Sequence, residues 1–210
     1  MTTTDWKEWH EAYDRPGSTL AARLVEVRRR IHIELDTAPA GEIRIISLCA
    51  GEGRDVLDVL ADHPRRSDAR AVLVELDPTL AERARDRVRR YGLTGVRVVT
   101  GDAADLTHCA DYAPADLVLL CGIFGNITDA DIQRTIRHSR GLCRPGASVI
   151  WTRHRKEPDM VPTICEWFVD HGFTERYVSP PDVGYGVAVH RYEGPPQPLD
   201  TGVRLFEFVR

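Results

Sequence analysis

Residues 43–55 read Ile43-Arg44-Ile45-Ile46-Ser47-Leu48-Cys49-Ala50-Gly51-Glu52-Gly53-Arg54-Asp55, a β-branched apolar run that breaks into a glycine loop. Ile43–Cys49 predicts a short strand buried on both faces. Glycines directly after a first strand let the backbone pass close to a ligand and aim free N–H groups at it. A dinucleotide fold would place a third glycine where Val56 stands, so tight packing around a pyrophosphate is not encoded.

Working outward, the spacing predicts a helix over Asp55–Asp62, stopped near Pro64, and a second strand over Ala71–Glu75. Asp77-Pro78-Thr79 opens a helix whose apolar residues Leu80, Ala84, Val88 and Tyr91 share a face, with Gly92 as its stop. Val96–Thr100 and Ala115–Cys121 read as the third and fourth strands, and Asp129–Leu142 as a helix closed by Cys143-Arg144-Pro145-Gly146. Ala147–Thr152 is the fifth strand, Met160–Gly172 a helix, and Thr174–Val178 with Gly184–Tyr192 a final strand pair. Strands alternating with helices predict an α/β, doubly wound sheet that is mostly parallel. The link SPPDVG is too short for a helical crossover, so the last two strands form an antiparallel hairpin. After the Pro-rich GPPQPLD at 194–200, the alternation in Val203–Arg210 predicts one more edge strand.

Upstream, Ser18–Leu35 is an amphipathic helix with Leu20, Leu24, Val27, Ile31 and Leu35 on one stripe. Its Arg28-Arg29-Arg30 run reads as a solvated face, with a phosphate contact as the alternative. Trp6, Trp9, His10 and Tyr13 recur at helical spacing and form one aromatic face. That face either packs on the sheet or covers a ligand. The chain divides into a helical lid segment, 1–37, and a sheet domain, 38–210.

Composition narrows the function. The 28 Lys+Arg against 32 Asp+Glu give a net charge of −4, a poor basis for a general nucleic-acid partner. The longest uncharged apolar run, Leu117–Gly125, is about half of the ~18 residues a membrane span needs. The acidic, aromatic start shows no basic region followed by an apolar one, and the five scattered cysteines suit reduced, cytoplasmic thiols. No His, Cys and Asp set has metal-ligand spacing, so no metal is expected.

Three stations suit one ligand. The first is the Cys49-Ala50-Gly51-Glu52-Gly53 loop; the second is Glu75, placed to accept from two ribose hydroxyls, with Leu76 after it. The third is Asp102-Ala103 after strand three: a carboxylate can accept from an adenine amino group while the next N–H donates to a ring nitrogen. Together they describe a nucleoside held without a diphosphate.

These residues resemble the class I, Rossmann-like S-adenosylmethionine-dependent methyltransferases over roughly residues 40–193. LCAGEG stands at that family's glycine loop, LVELDP at its ribose acid, and VVTGDAADL at its adenine contact. ADLVLLCGIFGNI matches its fourth strand, and LCRPGASVIW the turn before strand five. The resemblance implies a seven-stranded sheet, S-adenosylmethionine as cofactor, and contacts from Tyr13, Cys49, Ala50, Gly51, Gly53, Glu75, Leu76, Asp102, Ala103 and Cys121. Ser47 replaces the acid that usually opens the loop and Cys49 its first glycine, so the amino-acid end needs other contacts. Backbone carbonyls at Cys49 and Cys121 are candidates; Arg54 either meets the methionine carboxylate or forms a surface pair.

Methyl transfer needs alignment more than a catalytic triad. His154, expected just past strand five, is the candidate base, ahead of His10; Asn126 is the candidate substrate contact past strand four. Arg153 and Arg155 either hold a substrate anion or lie in solvent. The Asn/Asp-Pro-Pro-aromatic tetrapeptide of enzymes that methylate nucleic-acid bases or glutamine is missing, which favours a small-molecule substrate. The alternatives are a methyltransferase-like binding protein without transfer activity and an NAD-dependent oxidoreductase.

Overall fold

The computed structural model describes residues 18–209, so the predicted aromatic face of Trp6, Trp9, His10 and Tyr13 lies outside the described residues. The first element is helix α1, Thr19–Thr37, capped by the Ser18 hydroxyl accepting from Ala21 N–H. Strands and helices then alternate: β1 Ile43–Leu48, α2 Val56–Asp62, β2 Ala69–Glu75, α3 Pro78–Tyr91 and β3 Val96–Thr100. A short 3₁₀ turn, Leu106–Cys109, leads to β4 Ala115–Leu120, α4 Asp129–Ser139, β5 Cys143–His154 and α5 Val161–Asp170. The hairpin β6 Phe173–Val178 and β7 Tyr185–Tyr192 ends the sheet.

The seven strands lie in the order β3-β2-β1-β4-β5-β7-β6. Strands β1 to β5 pair parallel, and β7 pairs antiparallel with both β5 and β6. Alternate side chains of each strand enter different cores. Ile46, Leu48, Val72, Val118, Val149 and Trp151 pack on one side with α4 and α5. Ile45, Leu73, Leu117, Leu119 and Ile150 pack on the other with α1, α2 and α3. The order reverses between β1 and β4, and both strands point their C-terminal ends at the same edge. That edge is where open α/β sheets hold ligands.

Three local expectations are corrected. Strand β5 runs through His154, because β7 pairs with it as far as His154 opposite Tyr185. At its other end Cys143 already pairs with Ala115, and Arg144-Pro145-Gly146 bulge before the ladder resumes at Ser148. The Arg-Pro-Gly turn therefore interrupts a strand instead of closing a helix; α4 has already ended at Ser139.

Residues 203–209 add no edge strand. Leu205 and Phe206 are neighbours yet both are buried, which an alternating strand on a sheet edge does not allow. The segment makes one bridge, Asp105 with Arg204, and packs across the loops instead.

The arginine run is not a solvated face either. Arg28 pairs with Asp58 and donates to Arg54 O at 2.8 Å. Arg30 pairs with Glu26 at 2.5 Å and lies over the Tyr177 ring, 3.3 Å from its centre. Only Arg29 of the three is exposed. Long Arg stems cover apolar surface while their heads find acids on neighbouring elements, which helical spacing alone does not reveal. Among the described residues no helix is long and apolar enough to cross a membrane.

Candidate active site

The glycine loop is shaped by backbone angles that side chains rarely adopt. Cys49, Gly51 and Gly53 have φ of 53°, 57° and 67°. Cys49 thus keeps the left-handed conformation of the glycine it replaces, at a cost of about 1–2 kcal/mol. Gly53 is closed to any side chain on two counts. Besides its φ, a Cβ there would sit 2.6 Å from Leu57 Cδ1 and 2.8 Å from Leu73 Cδ2. It therefore lets Leu57 of α2 and Leu73 of β2 close on the loop.

Glu52, between the two glycines, turns away from the loop. Its carboxylate is buried and pairs with Arg54 at 2.8 Å, Arg83 at 2.7 Å and Arg87 at 3.6 Å. Burial pushes its pKa up, but Arg83 and Arg54 outweigh that and hold it below the usual carboxylate range. The Arg54 pairing is thus a tether for the loop. Through Arg83 and Arg87 the same carboxylate joins the loop to α3.

Glu75 ends β2 with both oxygens engaged: Oε2 accepts from Gly51 N–H at 2.7 Å and Oε1 from Asp77 N–H at 2.8 Å. Each oxygen keeps a further acceptor direction, so two hydroxyls can be added to a carboxylate already fixed in place. Leu76 next to it is 63% exposed, an apolar flank of the kind a flat ring covers. Asp102 follows β3, with Oδ1 accepting from Ala104 N–H at 2.9 Å and Oδ2 from Arg204 at 2.6 Å. Ala103 is buried. Ala50 ties the loop to β2 through its N–H on Val74 O at 3.0 Å.

The stations converge. Burial, then the charges of Glu75 and Asp102, push the Cys49 thiol well above its ordinary pKa. Cys121, at the end of β4, is raised by burial and by Asp55, with Arg23 of α1 opposing. Asp55 is itself raised by burial, although it accepts from Val56 N–H at 2.7 Å. The charges of a carboxylate and a guanidinium therefore both act on Cys121, where the amino-acid end of the ligand was expected. The motif comparison had not singled out Arg23, and no periodicity signals it.

The loop after β4 is held from β5. Thr152 Oγ1 accepts from Gly122 N–H at 2.9 Å, and Arg153 donates to Phe124 O. A Cβ on Gly125 would lie 3.4 Å from His154 Cδ2, so the imidazole sits against this loop. His154 Nδ1 accepts from Lys156 N–H at 3.3 Å, a long contact. Asn126 closes the loop by donating from Nδ2 to Gly122 O at 2.8 Å. Arg155 is neither an anion holder nor solvated. It is 6% exposed and spent on Asp159 at 2.6 Å and Ser179 O at 2.8 Å. Tyr13 lies outside the described residues.

The fold also gathers residues that sequence spacing kept apart. His32, Asp36 and His63 form one cluster, and Cys165, Glu175 and His190 another. In each the buried ring accepts through Nδ1: His63 from Arg65 N–H and His190 from Trp151 Nε1–H, both at 3.1 Å. With Nδ1 accepting, a neutral ring would carry its proton on Nε2.

A methyltransferase-domain family model matches residues 45–146, from β1 to the turn inside β5. Among curated proteins none matches the sequence. Several solved structures share the fold at low identity. The magnesium protoporphyrin IX methyltransferase of Synechocystis PCC 6803 is 14% identical, with 90% of this chain and 92% of that one covered and a TM-score of 0.67. The precorrin-6y C5,15-methyltransferase of Geobacter metallireducens GS-15 is 14% identical, covering 80% and 88%, at 0.57. An RNA methyltransferase of Salinibacter ruber is 22% identical, covering 82% and 96%, at 0.50. The domain match over residues 45–146, the sheet order and the glycine loop at its switch point together support a class I S-adenosylmethionine-dependent methyltransferase.

Proposed function

We propose that the protein methylates a small molecule, using S-adenosylmethionine held by the glycine loop, Glu75 and Asp102. The observation that carries this reading is Glu75, whose two oxygens are fixed by Gly51 and Asp77 N–H groups at the end of β2. The left-handed turns at Gly51 and Gly53 carry the loop past the nucleoside, and Leu76 and Ala103 flank its base. Cys49, Ala50 and Cys121 lie where the amino-acid end passes between β1 and β4. When bound, the cofactor supplies an electrophilic methyl group on a sulfonium.

The chain's own residues do the rest. The Asn126 loop, braced by Thr152 and Arg153, fixes where the accepting atom docks. His154 takes the proton of a hydroxyl or protonated amine. A base at Nε2 needs its proton moved to Nδ1, which gives up the 3.3 Å contact with Lys156, a weak bond by its length. The lid is assigned to residues 1–16, since α1 carries Val27, Ile31 and Leu35 into the core.

The net charge of −4 and the missing Asn/Asp-Pro-Pro-aromatic tetrapeptide favour a small substrate over nucleic acid, in the cytoplasm. The test is to incubate the protein with methyl-labelled S-adenosylmethionine and a cell extract divided into small molecules, RNA and protein. Label should enter the small-molecule fraction, and removal of residues 1–16 should leave a folded protein with poor turnover. Label confined to RNA overturns the substrate class. An unfolded deletion product assigns the segment to packing.

A further inference from the structure

The segment beyond β7 spans the two ends of the site. Leu205 N–H donates to Ala104 O at 3.0 Å, and Val209 N–H to Asn126 O at 2.9 Å. Between them Leu205 and Phe206 are buried in the core beside α4. At the near end Arg204 pairs with Asp102 Oδ2 at 2.6 Å, while its backbone bridges to Asp105. Asp102 is thus clamped from both sides, Oδ1 by Ala104 N–H and Oδ2 by the guanidinium.

A carboxylate offers about four lone-pair directions, and this clamp uses two. The Asp102 side chain is 35% exposed, so the remaining directions face the open edge. A deprotonated carboxylate only accepts. It is matched by an exocyclic amino group and repelled by a carbonyl oxygen at the same place. Without Arg204 it keeps a single tether to its own loop and swings among rotamers, and fixing it again costs entropy on binding.

We infer that Arg204 is a positioning residue for the base of the cofactor, holding Asp102 so that the site selects a 6-amino purine over a 6-oxo purine. This rests on the proposed assignment of Asp102 to the nucleoside base. Arg204 acts through Asp102 and does not itself touch the reacting atoms. The buried Leu205-Phe206 pair anchors the backbone on which it is carried, so its side chain can be changed without releasing the segment.

The experiment is calorimetric titration of S-adenosylhomocysteine and S-inosylhomocysteine, which bears oxygen in place of the amino group, into three proteins. These are the unaltered chain, Arg204→Ala and Arg204→Lys. Arg204→Ala should weaken S-adenosylhomocysteine by about three- to tenfold, the range of a half-exposed charged hydrogen bond, and leave S-inosylhomocysteine unchanged. Arg204→Lys should recover part of the loss. Equal losses for both ligands would make Arg204 a mere anchor and overturn the inference. Unchanged or tighter S-adenosylhomocysteine binding in Arg204→Ala would do the same while leaving the proposed function standing. Failure of the unaltered chain to bind S-adenosylhomocysteine would overturn both.

Discussion

Glu75→Ala should weaken S-adenosylmethionine by about 1–3 kcal/mol, the cost of removing a charged acceptor, and more if the loop relaxes. The carboxylate does two jobs. It accepts from Gly51 and Asp77 N–H groups, and it presents its remaining lone pairs at the end of β2. Alanine leaves both N–H groups without their acceptor and lets the Gly51 turn drift from the position the ligand needs. Glu75→Gln separates the two effects, because an amide keeps the shape but only one acceptor oxygen. Its loss should be intermediate. Calorimetry giving wild-type affinity for Glu75→Ala would remove Glu75 from the site.

His154→Ala should lower the turnover number by roughly 10²–10⁴, the usual worth of a positioned base, with little change in cofactor affinity. The ring sits against the Gly125 turn, and the proposed nucleoside stations do not include it. The wild type should gain activity as rising pH deprotonates the ring, and the variant should lose that limb. The sign follows from the chemistry: only the deprotonated ring accepts a proton. Full activity in the variant would leave alignment alone to explain the rate. A turnover loss with the pH limb retained would make His154 a brace for the Gly125 loop.

The sheet was legible because its strands are short apolar runs with clear stops. Gly92 with its left-handed φ ends α3, and Asp77 opens it by accepting from Thr79 and Leu80 N–H groups. The position of the three proposed stations was legible because each directly follows a strand, and parallel strands deliver such residues to one edge. Where contacts are long-range the sequence was silent. The role of Gly53 needs Leu57 and Leu73 in place. The path of residues 204–209 needs the pocket that buries Leu205 and Phe206, and the pairing of Arg28 with Asp58 needs α1 laid on α2. A consecutive apolar pair after a Pro-rich connector was the available signal for the anchored tail; alternation was the weaker guide. The extent of β5 was hidden for a similar reason. Its last residues are polar, and only β7 beside them shows that the strand continues.

Titration of S-adenosylhomocysteine and of NAD into the unaltered protein tests the account most directly. The glycine loop lacks a third glycine at Val56, and the Glu75 and Asp102 stations describe a nucleoside without a diphosphate. S-adenosylhomocysteine should bind at a single site and NAD should give no heat. Saturable NAD binding, with none for S-adenosylhomocysteine, would contradict the assignment of this edge to a sulfonium nucleoside.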